Sequence, residues 1–177
     1  MSGVLQVLLS YGPTRAGWTG AFNSASTSSH ITLSGGDLTA TQDGVGYFVN
    51  TTGTVGHASG SWYASVSISA IGSGVTVGMS NISTVYADGA EAGDGSQTIG
   101  YRSSTGDKRF NGVTTAYGST FTTGDTIGIG YDATAEELHF YLNGVDQGLA
   151  YSPADVTWYL IVSLNTNAVV VLDTSGS

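Results

Sequence analysis

The stretch Glu137-Leu138-His139-Phe140-Tyr141-Leu142-Asn143-Gly144 decides the fold of this chain. Its apolar residues occupy every second position through the first six residues and would share one face of an extended backbone. This period of two predicts a half-buried strand. The dipeptide Asn143-Gly144 follows at once and is the strongest short signal for a hairpin turn. The sequence therefore predicts that Val145–Leu149 returns as an antiparallel neighbour of the first strand.

The same alternation recurs along the chain. In Ser61–Ser69 the residues Trp62, Ala64, Val66 and Ile68 point one way, and serines with Tyr63 point the other. Further short strands are predicted at His30–Leu33, Asp37–Thr41, Tyr47–Val49, Gly74–Met79, Gln97–Tyr101, Lys108–Phe110, Thr126–Tyr131, Trp158–Ser163 and Val169–Leu172. The serine-rich Gly20–Ser29 is predicted to be a loop. Short strands with turn signals between them indicate an all-β sandwich or barrel.

Composition excludes several classes of protein. The 177 residues fit one domain and include no cysteine, which rules out a disulfide scaffold, a cysteine-ligated zinc site and a thiol nucleophile. Four Lys and Arg stand against 13 Asp and Glu, for a net charge of -9. This balance argues against nucleic acid and anionic membranes as partners. No apolar run approaches the roughly 18 residues of a membrane helix, so no membrane insertion is expected.

The first 16 residues form a mildly apolar segment, and residues 17–173 are predicted to form the sandwich. Residues Val4, Leu5, Val7, Leu8 and Leu9 supply the apolar side chains. The segment lacks the basic start and the small-residue cleavage pattern of a signal peptide. We therefore interpret it as an assembly strand that pairs with a neighbouring subunit or covers a sheet edge, and we expect a homo-oligomer.

Several motifs occur in a specific order. They are Gly60-Ser61-Trp62-Tyr63-Ala64-Ser65-Val66, then Phe121-Thr122-Thr123-Gly124-Asp125-Thr126-Ile127-Gly128, then Phe140-Tyr141-Leu142-Asn143-Gly144, then Tyr159-Leu160-Ile161-Val162-Ser163-Leu164. Together they resemble the SPRY (B30.2-type) domain from about Gly60 to Leu164, with strands from about Trp18 extending the likeness. The resemblance implies a bent sandwich of two antiparallel sheets, similar to the concanavalin-type lectin fold, with a binding surface of loops at one end. Within it, Gly128 and Gly130 would let a chain segment or an aromatic ring come close.

Candidate contact residues come from the segments between the matched strands, because tyrosine and tryptophan are common interface anchors. The set is Tyr86, Asp88, Glu91, Asp94, Tyr101, Arg102, Tyr117, Tyr151 and Trp158. Among them, Tyr101 and Trp158 are the ones expected in the core, and Tyr86 and Tyr117 the ones expected to be exposed. Arg102, Lys108 and Arg109 are expected to form local pairs with Asp107.

No catalytic residue, cofactor or metal site is predicted. Glycoside hydrolysis needs two carboxylates facing one cleft, but Glu136 and Glu137 are adjacent on a strand and would face opposite ways. His30, His57 and His139 show no metal-ligand spacing. The loop Asp88–Gly95 carries three carboxylates at three-residue intervals. It is interpreted as an exposed acidic turn, with a calcium site as the alternative because calcium prefers oxygen ligands.

The sequence favours a non-catalytic structural or interaction protein. The apolar start, the Ser/Thr/Gly-rich composition and a SPRY-type domain without helical or zinc modules resemble small phage virion proteins. That resemblance implies capsid decoration, a tail or a fibre, with synthesis in the host cytoplasm. The implied partners are other virion proteins and a glycan or protein of the host surface. One alternative is a lectin-like carbohydrate-binding module. The other is a peptide-binding SPRY adaptor.

Overall fold

The computed structural model describes residues 15–84, 87–154 and 156–174. The predictions for Val4–Leu9 and for Tyr86 lie outside these residues. Within them the chain forms strands and turns, with no helix that could cross a membrane. The strands are β1 (Ala16–Gly17), β2 (Phe22–Thr27), β3 (Ile31–Ser34), β4 (Thr39–Gln42), β5 (Val49–His57), β6 (Ser61–Ala70), β7 (Gly74–Ser80), β8 (Thr98–Arg102), β9 (Lys108–Phe110), β10 (Val113–Thr115), β11 (Thr126–Asp132), β12 (Glu137–Leu142), β13 (Val145–Tyr151), β14 (Trp158–Asn165) and β15 (Val169–Asp173).

The strands form two sheets packed face to face. The larger has the order β13-β12-β11-β6-β15-β4-β3, with β1 added in parallel to one end of β6. The smaller has the order β10-β9-β8-β7-β14-β5-β2. Every pairing other than β1 with β6 is antiparallel in the described residues. The prediction of an all-β antiparallel sandwich is confirmed.

The hydrophobic core lies between the sheets and follows the predicted alternation. In β6 the side chains of Ala64, Val66 and Ile68 are buried, as are Leu138 and Phe140 in the neighbouring hairpin. The smaller sheet contributes Val77, Met79, Leu160, Val162 and Leu164 from its two central strands. Burying one such side chain contributes about 1.5–3 kcal/mol, so this face supplies the main driving force for folding.

Both Asn-Gly dipeptides form hairpin turns, of which the one at Asn143-Gly144 was predicted. Asn143 and Gly144 have φ of 50° and 80°, and they join β12 to β13 with Leu142 opposite Val145. Asn111 and Gly112 have φ of 51° and 73° between β9 and β10. Positive φ at both central residues defines the tight turn whose twist matches that of the strands.

The connection 81–97 between β7 and β8 packs its residues 87–97 against the outer face of the smaller sheet. Its Ala92 N–H donates to the Ser163 hydroxyl at 2.8 Å, and its Ala90 carbonyl accepts from the Asn50 amide at 3.0 Å. As a result β7 is buried along its whole length, including polar Thr76. The central strands of this sheet therefore have two buried faces, although their sequences contain polar residues.

The structure corrects the sequence prediction at three strands. Gly20–Ser29 contains β2, because Phe22 is fully buried and brings this serine-rich segment onto β5 despite a break in register. β5 runs on from Val49 to His57, well beyond the predicted Tyr47–Val49. The exposed strand β10 was not predicted, because three exposed residues carry no alternation.

Candidate functional site

The candidate contact residues do not form one surface. We call the end of the sandwich that carries the Asn143-Gly144 turn the upper end, and the end with the 133–136 turn the lower end. Strand directions place Arg102 and Tyr117 at the upper end, and Tyr151 and Trp158 at the lower end. A ligand at one end could therefore touch only part of the set.

Tyr101 and Trp158 belong to the core, as expected, and offer no contact surface. Both are almost fully buried. The Tyr101 hydroxyl donates to the Ser119 carbonyl, and the Trp158 indole N–H donates to the Ala154 carbonyl at 3.1 Å. Burial raises the pKa of Tyr101 to about 12, so the phenol stays neutral.

Tyr117 was expected to be exposed, and that prediction is wrong. Its ring packs edge-on against Tyr101 at 5.4 Å and against Phe140 at 6.2 Å between ring centroids. Its hydroxyl donates to the Gly148 carbonyl at 2.6 Å. Burial raises its pKa well above the ordinary value for tyrosine. Tyr117 is therefore half-buried and packs against the core at its upper end.

The acidic loop is an internal ion-pair cluster. Glu91 is 3% exposed and accepts from Arg102 Nε at 2.8 Å and from Arg109 Nη1 at 3.1 Å. Arg109 also pairs with Asp94, and the Thr76 hydroxyl donates to Glu91. The two arginines thus pair with Glu91 and Asp94 and not with Asp107, which corrects the predicted pairing.

This arrangement also argues against the calcium alternative. Both Glu91 oxygens face guanidinium groups, while Asp88 lies exposed at the tip of the loop. In the described part of the chain, no group of three or more His, Asp or Glu side chains is placed to hold a metal ion. Glu91 and Asp94 therefore meet at Arg109, Asp88 stands apart from them, and the accessible acids of this loop are the exposed Asp88 and the partly exposed Asp94.

Tyr151 opens onto a groove between the outermost strands of the two sheets, β13 and the β9–β10 hairpin. We call it the edge groove, and its volume is about 200 Å³. It is lined by Ile99, Lys108, Arg109, Phe110, Val113, Thr115, Ala150 and Tyr151. The rings of Phe110 and Tyr151 pack at 4.3 Å on its floor. Most of its wall is therefore apolar.

The upper end carries an exposed aromatic side chain that sequence reasoning missed. Tyr47 is 40% exposed, and its hydroxyl lies 3.2 Å from His30 Nε2. The Asp43 carboxylate lies 2.9 Å from the other ring nitrogen of His30, Nδ1, and this hydrogen bond lowers the pKa of the Asp43 carboxyl. We call Tyr47, His30 and Asp43 the upper-end platform. The available signal was the Asp43-Gly44 turn, but Tyr47 was assigned to the following strand.

The backbone beneath the platform is fixed by many hydrogen bonds. Gln42 donates from its amide nitrogen to the Val45 carbonyl and accepts from the Gly44 and Asn167 N–H groups. The Thr166 N–H also donates to the Val45 carbonyl. Because Gln42 is itself buried, the loop 43–48 is anchored from below. The exposed ring of Tyr47 therefore stands on a rigid support, which reduces the entropy lost on binding.

The outer face of the larger sheet holds a second group of aromatic side chains. Tyr63 lies against Gly128, and Arg15 and Tyr141 lie against Gly130. Arg15 donates to the Tyr141 hydroxyl at 2.6 Å, and the rings of Tyr63 and Tyr141 meet edge to face at 5.8 Å. The prediction that the two glycines admit an aromatic ring is confirmed.

The three histidines lie far apart in the fold. His57 is stacked on Trp62 with ring centroids 3.6 Å apart, and burial lowers its pKa. His139 sits on β12 beside Asp146 at 3.0 Å. Glu136 lies in the 133–136 turn and Glu137 begins β12, so the pair does not line a shared cleft on one strand face.

Comparison with known proteins identifies the family. The family model for the SPRY domain matches residues 61–175, well over half of the chain. The chain belongs to the SPRY domain family. SPRY domains mediate protein–protein interactions and are generally non-catalytic. Among curated protein sequences, none matches this chain.

Solved structures agree on the fold of this SPRY domain. The SPRY domain of human HERC1 superimposes with a TM-score of 0.73 at 23% identity, covering 87% of this chain and 98% of that one. The TRIM65 PSpry domain gives a TM-score of 0.68 at 18% identity, covering 86% and 90%. Stonustoxin gives 0.69 at 17% identity over 86% of this chain and 26% of the toxin chain. These identities support a shared fold and carry no information on ligands.

Proposed function

We propose that this SPRY domain binds a partner protein through the upper-end platform and performs no catalysis. The observation that carries the proposal is the exposed ring of Tyr47 on an anchored loop. Aromatic residues held rigidly at the surface are frequent hot spots of protein–protein contact. The strongly acidic chain favours a partner segment with basic residues, since complementary charge raises the association rate. A linear basic peptide, as in a SPRY adaptor, would satisfy the same platform.

A binding comparison tests this use of the platform. The purified chain, once immobilised, should capture a partner whose binding falls at least tenfold in Tyr47→Ala, which corresponds to about 1.4 kcal/mol. Tyr159→Ala is the matched control, because Tyr159 is a partly exposed tyrosine at the lower end. If both variants bound the partner equally well, the proposal would be contradicted.

We also propose that the domain is a phage virion component, in a capsid decoration, a tail or a fibre, and that it associates with itself and with other virion proteins. The support is compositional: 27 glycines, few charged residues and the apolar residues Val4–Leu9. An antibody against the chain should label particles purified on a density gradient from the source culture. Recovery of the chain only in the soluble fraction of lysed host cells would contradict this setting.

Carbohydrate binding is a second candidate, favoured by the outer face of the larger sheet. Tyr63, Tyr141 and the guanidinium of Arg15 combine aromatic rings with hydrogen-bond donors on one polar surface. Rings with nearby polar groups can stack on sugars and orient their hydroxyls. A glycan array with and without calcium tests this function, and Tyr141→Ala should abolish any hit. An array without hits would remove the candidate.

A further inference from the structure

The edge groove is one place where the described part of the sandwich leaves apolar surface uncovered. Val113 is 63% exposed at its rim, and Leu149 is 47% exposed on β13 beside it. A cavity of about 150 Å³ accommodates benzene, so the groove of about 200 Å³ has room for a leucine side chain. Exposed apolar surface bordered by polar residues marks interaction sites.

From this groove we propose that Val4–Leu9 of one copy dock in the edge groove of a second copy. The inference rests on the proposed role of this SPRY domain in assembly, and it names the receptor for the assembly segment. Residues 1–14 contain five Val and Leu residues and no Asp, Glu, Lys or Arg. They supply apolar side chains without adding charge to the contact.

Charge favours this edge as the meeting point of two copies. Each copy carries a net charge of -9, so most approaches are repulsive. Arg109 and Lys108 line the groove, and Arg102 shares the Glu91 carboxylate with Arg109. Two of the four basic residues of the chain therefore line the groove, and the acids that contact Arg109, Glu91 and Asp94, are already paired with it. A second copy meets less repulsion there, and its uncharged segment adds none.

Chain length favours the groove of another copy over the chain's own. Ala16 pairs with Trp62 of β6, on the side away from β11, which places it four strand positions from β13. At about 4.8 Å per strand this separation is about 19 Å. The seven residue steps from Leu9 to Ala16 span at most about 25 Å. The remaining roughly 6 Å is less than the roughly 10 Å between stacked sheets, so the chain is too short to turn round β13 and lay the whole of Val4–Leu9 in the groove.

Solution mass tests the groove with a matched pair of variants. Val113→Asp places a carboxylate in the groove, whereas Val145→Asp changes an equally exposed valine, at 64%, near the upper end of β13 and outside the groove. We expect the full-length chain to form an oligomer by light scattering, Val113→Asp to fall to a monomer, and Val145→Asp to remain associated. A monomeric parent chain, or equal behaviour of the two variants, would overturn the proposal.

Disulfide trapping then identifies the occupant, because the chain has no cysteine of its own. The double variant Leu8→Cys with Val113→Cys should form cross-linked dimers on mild oxidation, and Leu8→Cys with Val145→Cys should form at least tenfold fewer. A monomer with an internal disulfide would show that the segment covers its own groove and would overturn docking between copies. These readouts need no partner protein, so they fail or succeed independently of the Tyr47 test.

Discussion

The Tyr117 hydroxyl accepts a hydrogen bond from the backbone N–H of Phe140 at 3.2 Å. Phe140 lies where the pairing of β12 with β13 shifts register, so no residue of β13 pairs with it. The same hydroxyl donates to the Gly148 carbonyl across the gap at 2.6 Å. A side chain from the 116–125 connection thus bridges two strands at the point where the ladder between them is interrupted.

Replacing Tyr117 by Phe should therefore destabilise the domain more than loss of a surface hydroxyl would. The change leaves the buried N–H of Phe140 and the partly buried carbonyl of Gly148 without their partner, which costs about 1–3 kcal/mol. Urea unfolding followed by tryptophan fluorescence measures the loss. Tyr159→Phe, at the lower end, is the control and should change stability by less than about 0.5 kcal/mol. Equal effects would contradict the bridging role.

A second prediction concerns the ion-pair cluster under the 81–97 connection. Glu91→Gln removes the negative charge that Arg102 and Arg109 share, and breaking a buried pair from one side costs about 3–5 kcal/mol. Since both arginines are about a quarter exposed, we expect the loss of unfolding free energy to fall in the lower part of this range. The measurement is again the free energy of unfolding in urea. Asp88→Asn alters an exposed acid of the same loop and should be nearly neutral, so similar losses would refute the cluster's importance.

The sequence predicts well those features that depend on neighbours along the chain. Alternation placed Leu138 and Phe140 on one buried face, and the Asn143-Gly144 turn fixed the return strand. The sequence-based prediction failed at Phe22, a buried aromatic residue whose packing places a serine-rich segment in the sheet. Local propensity is weak there, and packing against β5 decides the structure.

The candidate site was less predictable, because its contacts join distant parts of the chain. Spacing alone suggested that Asp88, Glu91 and Asp94 could share a cation. Glu91 instead pairs with Arg109, which lies 18 residues further on, and no local sequence pattern predicts that ion pair. Tyr47 was overlooked for a related reason: its exposure depends on the hydrogen bonds that Gln42 makes with Asn167, 125 residues away.

The third prediction concerns pH. Burial lowers the pKa of His57 below its ordinary value of 6.5, and the described residues offer no hydrogen-bond partner to its buried Nε2 atom. The unfolded chain therefore binds a proton at this position more readily than the folded domain. Stability from His57 is fully present above pH 6.5 and is lost as pH falls from there through the lower folded-state pKa.

Unfolding free energies measured from pH 8 to pH 5 test this assignment. His57→Gln should flatten the decline below pH 6.5, because glutamine does not titrate, while carboxylates contribute equally to both curves. Stacking on Trp62 is also lost, so the variant should start from a lower stability at pH 8. Parallel curves for the parent and the variant over this range would show that His57 is not the titrating group.

The fourth prediction tests whether the 81–97 connection lies directly on β8. A Cβ atom at Gly100 would overlap the backbone carbonyl of Ala92 and the methyl group of Thr76. Backbone cannot move aside as a flexible side chain can, so Gly100→Ala should cost about 1–3 kcal/mol or more through overpacking. Gly46→Ala is the control, because a Cβ there meets no atom within 4 Å and its φ is not positive. Protease cleavage within 81–97 should rise in Gly100→Ala alone, because the displaced connection loses its contact with the sheet. If cleavage and stability match the parent chain, the connection does not rest on β8 in solution.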